Sequence, residues 1–386
     1  MKTRVYFPGP TAVRENVRNM RAVETTNPDM DPEFYTLYGQ LSQDIGRVFG
    51  TDDKVLILSG EGILGLEAAC ASLTEKGDRV LVIDNGIFGE GFADFVRMYG
   101  GDPVLFSGDR QNAIDSEALE SFLEKDHDFK YATLVHCDTP SGVLNPLDSI
   151  CPLLKRYGIL TVVDAVSSSG GEPVDAKRNG IDICLGASQK AFSAPVGLTF
   201  LSVSEGAFEA MEKRETPITG YYVNLLSFRY GVEKKWFPYT MPVSDILGLR
   251  QAVDNILEEG IEEFQERHRI IGEAVREAIL ASGMQLHLES GFSNTVTAVE
   301  VPEGVSIEAL LDFMHREKDL LLSGSIGYLK NKVLRIGHMG ENARIEEVAA
   351  VLGILEDSLR HFGIPMRDSL KGRFIQNVAR MYKDQA

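Results

Sequence analysis

Cysteine, tryptophan, dense basic stretches and long apolar runs are all scarce in this chain. Its four cysteines among 386 residues, Cys70, Cys137, Cys151 and Cys184, have no C-x-x-C spacing, and each sits in an apolar or strand-like stretch. That excludes a disulfide framework and predicts buried, reduced thiols in a cytoplasmic protein. No apolar run approaches the roughly 18 residues that span a bilayer, and Met1-Lys-Thr-Arg-Val-Tyr-Phe-Pro8 lacks the apolar core of a signal peptide. No membrane partner is expected. Lysine and arginine number 39 against 57 acidic residues, a net charge of −18. With no basic cluster dense enough to track a phosphate backbone, nucleic acid is not a partner either. No His/Cys/carboxylate group has metal-ligand spacing, so no metal is predicted.

What remains is an ordinary globular composition, 44% hydrophobic and 25% charged, on a chain long enough for two domains. Between residues 50 and 205, short apolar runs alternate with amphipathic stretches. The runs lie at 54–58, 79–84, 131–136, 159–164, 181–185 and 198–203. Continuous apolar strands separated by helices predict an α/β fold with a mostly parallel sheet covered on both faces. Ligands of such sheets bind beyond the carboxyl ends of the strands. Near residue 245 the pattern changes to helical spacing, from Ile246 through Phe264 and on to Ile279, with Gly260 expected to bend it. Beyond it, strand-like and helical segments alternate, and a polar, basic helix is expected after Pro365. The reading is a large domain over residues 1–245, and an interdomain helix with a smaller α+β domain over residues 246–386.

Two constellations carry chemistry. Gly60-Glu-Gly-Ile-Leu-Gly65 satisfies G-x-G-x-x-G between a strand and a helix, with Asp84 at the end of the next strand. Taken alone, this fits a nicotinamide or flavin nucleotide. The sixty residues before it, and the Glu61 carboxylate in the loop where a pyrophosphate would sit, argue instead for a bare turn or another anion or cofactor loop. The second constellation is more specific. Asp164 ends one apolar strand, and Lys190 follows the next by a few residues, 190 − 164 = 26 positions on. Neighbouring strand ends bring an acid and an amine into one crevice, which is what a pyridoxal ring requires. Lys190 sits between Gln189 and the small, apolar Ala191-Phe-Ser-Ala-Pro-Val-Gly197, where burial would favour the free amine.

With these motifs in order, the chain resembles class V aminotransferases of the aspartate-aminotransferase fold (pyridoxal-phosphate fold type I), specifically the alanine–glyoxylate and serine–pyruvate group. The resemblance runs from Pro8-Gly-Pro10 to Val333-Leu-Arg335-Ile-Gly337. It implies pyridoxal 5′-phosphate as cofactor, Lys190 as its Schiff-base lysine, and Asp164 as partner of the ring nitrogen. It implies cofactor contacts from Gly60, Glu61, Gly62, Gln189 and the ring-stacking Phe88, and from Thr139 in His136-Cys-Asp-Thr139-Pro-Ser-Gly142. Arg335 and Pro10 fall at substrate positions. Thr240, in Phe237-Pro-Tyr-Thr240, falls where the family reaches a neighbouring subunit's cofactor, so a homodimer with shared sites is implied. The activity implied is transfer of an amino group from a small L-amino acid to a 2-oxo acid.

Two substitutions fall where the family holds phosphate: Glu61 replaces a hydroxyl donor and Phe237 a tyrosine. At these and several other positions the chain is similar to pyridoxamine–pyruvate transaminase, which takes free pyridoxamine and pyridoxal as substrates. That enzyme's second arginine has no counterpart in residues 323–327, and Gln189 follows the phosphate-using branch. Transamination of free pyridoxamine is therefore the alternative reading. A nicotinamide-dependent oxidoreductase or a non-catalytic pyridoxal-binding protein ranks below it. A desulfurase is excluded, because no cysteine follows Cys184. His136 and His338 read as structural hydrogen-bonders.

Overall fold

A computed structural model describes residues 3–384. Seven strands form its central sheet: β1 (Lys54–Ser59), β2 (Arg79–Asp84), β3 (Asp102–Ser107), β4 (Tyr131–Val135), β5 (Leu160–Asp164), β6 (Ile183–Ala187) and β7 (Leu198–Val203). Their spatial order is β1-β7-β6-β5-β4-β2-β3, with β7 antiparallel to both neighbours and the remaining pairs parallel. The six strands expected from apolar runs are all present, with ends shifted by a residue or two. The edge strand β3 is the addition. It carries Pro103 and alternates exposed with half-buried residues, so it lacks the continuous apolar signature of its neighbours.

Helices α1 (Gly62–Leu73) and α2 (Ile87–Met98) follow β1 and β2 at the sheet's rim. The expected break at Gly260 is present. Helix α3 (Val243–Glu259) ends there, and α4 (Ile261–Ala281) begins beyond it. A φ of +92° at Gly260 puts the backbone where a residue with a Cβ is strained. Beyond α4, an antiparallel sheet in the order β8 (Val296–Glu300), β10 (Val333–Gly337), β9 (Ser323–Gly324) carries Arg335 on its central strand. Helices α5 (Ile345–His361) and α6 (Leu370–Lys383) complete this part. The polar C-terminal helix docks through buried Leu370, Phe374, Val378 and Met381. No helix among the described residues is long and apolar enough to cross a membrane.

Two large apolar clusters, with a small third one of Ala298, Leu329 and Val333, make up the core of the described residues. One surrounds the large sheet. The other holds Ile270 to Ile279 of α4, Leu334 and Ile336 of β10, the last two helices, and also Tyr6 from the chain's beginning. A polar tie joins the two bodies. Glu172, buried after β5, accepts from the Ser293 hydroxyl at 3.1 Å and from the Asn294 side-chain amide at 3.0 Å, and also from the Asn294 backbone N–H. Replacing Glu172 by Ala strands these donors in a dry interface. Each unsatisfied group costs on the order of 1–3 kcal/mol, so the urea-unfolding free energy is expected to fall by about 2–4 kcal/mol; a change below about 1 kcal/mol would show that water replaces the carboxylate without loss.

Candidate active site

The carboxyl ends of β4, β5 and β6 converge on one rim, where the expected chemistry meets. Asp164 is the last residue of β5, paired with Val135 and Leu185 of its neighbours. One of its oxygens accepts from the Val166 N–H at 2.8 Å. Burial pushes its carboxyl up to about 6, opposed by that N–H and by the positive charge of Lys190. Lys190 lies just past β6. Burial pulls its amine down to about 8, against the attraction of Asp164. The two feel each other's charge but make no ion pair with each other.

The lysine is covered by the beginning of the chain. Arg4–Val5 pairs with Leu320–Leu321, and the Tyr6 carbonyl accepts from the Gly337 N–H at 3.0 Å. Thr11 binds the Gln189 carbonyl through its N–H at 3.0 Å and the Lys190 carbonyl through its hydroxyl at 2.9 Å. The Lys190 ammonium donates to the Pro8 carbonyl at 2.7 Å. Gly9 passes so close that a Cβ there would lie 2.4 Å from the Lys190 Cδ, at a φ of +86°. The Pro8-Gly-Pro10 motif thus reaches the lysine through Pro8 and Gly9. Pro10 itself lines an open groove of about 750 Å³ with Tyr6, Thr11 and Asn342. A cavity of about 630 Å³ beside Tyr38, Arg47 and Arg229 holds none of the expected site residues.

The loop expected to contact phosphate is occupied by its own carboxylate. Glu61 is the N-cap of α1, accepting from the Ile63 N–H at 3.1 Å, and its other oxygen accepts from the Gln189 side-chain amide at 3.3 Å. Gly60 donates to the Gly197 carbonyl at 2.8 Å, and Gly62 packs against Val166 and Ala187. No lysine or arginine pairs with Glu61 among the described residues.

Phe88 lies half-buried in the first turn of α2, and its N–H donates to Asp138 at 2.8 Å. The Gly89 N–H reaches the same oxygen at 3.2 Å. Gly86 is required, since a Cβ there would lie 2.2 Å from the Asp138 Cγ. Thr139 is buried, with its hydroxyl on that of Ser167. Arg335 donates from Nε to the Gly324 carbonyl at 2.8 Å, and no carboxylate pairs with its guanidinium among the described residues. Burial brings it down to about 10. His136 and His338 are buried, and burial takes each imidazole to about 3, leaving both neutral. His338 is held by Thr297 and the Asn294 carbonyl.

Two residues lie elsewhere within the single chain. Phe237 is buried among Tyr35, Tyr38, Phe34 and Phe228, its ring stacked 5.3 Å from that of Tyr35. Thr240 is exposed and donates to Asp29 at 3.1 Å. Their neighbour Tyr239 reaches the rim instead, its hydroxyl accepting from the Ser59 N–H at 3.1 Å. Asp138, Ser323 and Tyr328 were not singled out from sequence. Asp138 lies inside the His136–Gly142 motif and Ser323 inside the 323–327 stretch, while Tyr328 carries no local signal.

The donor set fits a pyridoxal-type group. The His136 Nδ1 and Gln189 Oε1 atoms are buried around the rim without a partner, and a native interior satisfies nearly all such atoms. The family described as Aminotransferase class-V matches residues 12–348. The chain belongs to the class V aminotransferases. Among relatives of this class V chain, pyridoxamine–pyruvate transaminase of Mesorhizobium japonicum is 34% identical, over 84% of each chain. Serine–glyoxylate aminotransferase of Methylorubrum extorquens is 30% identical, over 91% of this chain and 90% of that one. The crystal structure of pyridoxamine-pyruvate aminotransferase from Mesorhizobium loti superposes with a TM-score of 0.94 at 30% identity, covering 100% of this chain and 98% of that one. The expected α/β architecture of fold type I is therefore that of this chain, and its chemistry is pyridoxal-dependent amino transfer.

Burial sets the pH behaviour. In the folded state the Lys190 amine loses its proton near pH 8, against 10.5 for an ordinary lysine. The rate at which cofactor-free protein captures pyridoxal should therefore rise with pH to a midpoint near 8; a rate still climbing through pH 10 would mark an ordinary surface lysine. For Asp164, the folded value of about 6 lies above the ordinary 3.8, so folding takes up a proton between those pH values, and stability falls as pH rises through that window. Above it the buried charge carries its full penalty. In cofactor-free protein at pH 8, Asp164→Asn should raise the thermal midpoint, while turnover with cofactor supplied falls by about 100-fold or more. A lower midpoint would mean that the charge is stabilising.

Proposed function

We propose that this class V enzyme transfers an amino group from a small L-amino acid of the alanine or serine type to a 2-oxo acid of the glyoxylate or pyruvate type. In this reading residues 1–245 hold the cofactor, and residues 246–386 bring Arg335 to the substrate. The observation that carries it is a buried amine and a buried carboxylate at one rim, with the Arg335 guanidinium, which meets no carboxylate among the described residues, within electrostatic reach of the amine. When bound, a pyridoxal-type group supplies a carbonyl carbon that condenses with amines and a ring that accepts the electron pair released at the substrate Cα. Lys190 Nζ would hold that group, and when freed carry the proton to and from Cα. Asp164 would keep the ring nitrogen protonated, Phe88 would cover one ring face, and Thr139 would bond the ring oxygen. Arg335 would grip the α-carboxylate through both Nη atoms, fixing Cα against the ring.

A homodimer belongs to this reading. Ile63, Val196, Tyr221, Tyr222 and Trp236 are large apolar side chains left exposed. All but Trp236 are joined through the Gly60–Gly197 hydrogen bond, the Tyr239–Ser59 bond, the stacking of Tyr222 on Tyr239 and the edge contact of Tyr221 with Tyr222. A face of this kind suits a second copy of the chain. Thr240, exposed beside it, would complete the partner's site. The four buried free cysteines fit a cytoplasmic location.

One observation favours a second reading, in which free pyridoxamine is the amino donor and pyruvate the acceptor. The Glu61 carboxylate already occupies the helix N-terminus where a phosphate would bind. Mass spectrometry of the group released on denaturation distinguishes the two. The amino-acid reading expects pyridoxal 5′-phosphate retained by the protein, with the visible absorbance and turnover both lost in Lys190→Ala. A phosphate-free holoprotein that turns over pyridoxamine with pyruvate would overturn it and establish the second.

A further inference from the structure

Behind Arg335 lies a wall of polar atoms that the proposed chemistry leaves unused. Asp138 is fixed through one oxygen, which takes the Phe88 and Gly89 N–H groups at 2.8 and 3.2 Å. Its other oxygen is buried and has no partner. Ser323 lies directly across the sheet from Arg335, and its hydroxyl is likewise buried and unpartnered. The next loop hangs over the same floor. The Ser325 hydroxyl donates to the Pro140 carbonyl at 2.8 Å, and Gly327 passes so near Ile87 that a Cβ would lie 2.7 Å from its Cδ1. Tyr328 follows, with its hydroxyl buried and unpartnered and within electrostatic reach of Asp138.

A buried tyrosine hydroxyl ordinarily finds a partner, and so does a buried carboxylate oxygen. Three such atoms left open on one wall, beside an arginine that also lacks a carboxylate, are spare capacity facing a ligand. The wall has no spare positive charge. Arg110 stacks on the Tyr328 ring at 4.5 Å, but its guanidinium is met by Glu90 at 2.9 Å and by Asp84 at 3.8 Å. Burial already pushes the Asp138 carboxyl up to about 7, and a second carboxylate on the substrate would meet its ionised form without a further cation to compensate. A hydroxyl could donate to the open Asp138 oxygen and accept from Tyr328 or Ser323.

We propose that Tyr328, with Asp138 and Ser323, determines side-chain specificity, selecting amino acids with a neutral hydroxyl-bearing side chain over both methyl and carboxylate side chains. This rests on the amino-acid transaminase reading given above. A site built around a hydroxyl rejects a substrate lacking it, because its buried polar groups then stay unpaired.

The test compares L-serine, L-alanine and L-aspartate as donors to the cofactor-loaded protein, following the bound cofactor's absorbance. Serine is expected to exceed alanine in kcat/KM by about tenfold and aspartate by more. Tyr328→Phe should lower the serine-to-alanine ratio about tenfold. Binding gives an independent readout. By calorimetry on cofactor-free protein, glycerate should bind more tightly than lactate, and Tyr328→Phe should remove the difference. Equal loss for serine and alanine in the variant, or aspartate as the preferred donor, would overturn the assignment. If no amino acid changes the wild-type spectrum, the transaminase reading falls with it.

Discussion

The rest of the site depends on burying charge without pairing it. Lys190 and Asp164 sit at adjacent strand ends, each desolvated, each influenced by the other, and neither neutralised by an ion pair. An isolated buried charge is costly, and proteins usually relieve it by pairing or by shifting the group toward its neutral form. Here both groups shift. The amine moves down to about 8 and the carboxyl up to about 6. Each is left within reach of both of its forms near neutral pH, as proton-transfer chemistry needs. A direct salt bridge would return both groups toward their ordinary values. Strands β5 and β6 fix where their last residues lie, Lys190 is carried past its strand's end before the chain turns back into β7, and its ammonium donates to the Pro8 carbonyl instead.

Close approaches hold this arrangement together, which explains why glycines crowd the site. Gly9 lies on the Lys190 side chain and Gly86 on the Asp138 carboxyl. Gly337 touches the Phe7 carbonyl at a virtual Cβ distance of 2.3 Å. In these places the backbone of one segment fills the volume another residue's side chain would need. The first residues of the chain therefore behave as part of the small domain's core, through Tyr6, and as a cover for the lysine, through Pro8. Any movement of the Arg335 strand relative to the large sheet must carry this strap along.

Much of this was legible in the sequence, and what was missed has physical reasons. Six of seven sheet strands announce themselves because both faces are buried, giving unbroken apolar runs. Strand β3 does not, because an edge strand half in water needs no such run. Lys190 and Asp164 are legible because their chemistry demands those residue types at or just past strand ends, whereas Arg335, mid-strand in β10, is legible only through the family resemblance. The wall formed by Asp138, Ser323 and Tyr328 joins segments nearly two hundred positions apart, so no local spacing could reveal it. Phe237 shows the opposite case. Its missing hydroxyl reads as a lost phosphate contact, yet within this chain the ring is packed among four aromatic side chains, where an apolar residue is what the core requires.

Glu61 joins local structure to function most directly. A helix whose first N–H groups lack a cap loses stability, and a carboxylate at the N-cap supplies both a hydrogen bond and favourable charge. In most anion-binding loops the ligand does this work, and the loop is left uncapped for it. Here the chain caps itself, with Gln189 holding the other carboxylate oxygen. The two functions compete for the same N–H groups. A bound phosphate must either displace the carboxylate into water, at the expense of the cap, or share the site with a like charge. A ligand ending in a hydroxyl meets neither obstacle, because it can donate to the carboxylate where it stands. On the second reading, the helix terminus would discriminate among ring substituents by charge, separately from what Lys190 does at the carbonyl carbon and Asp164 at the ring nitrogen.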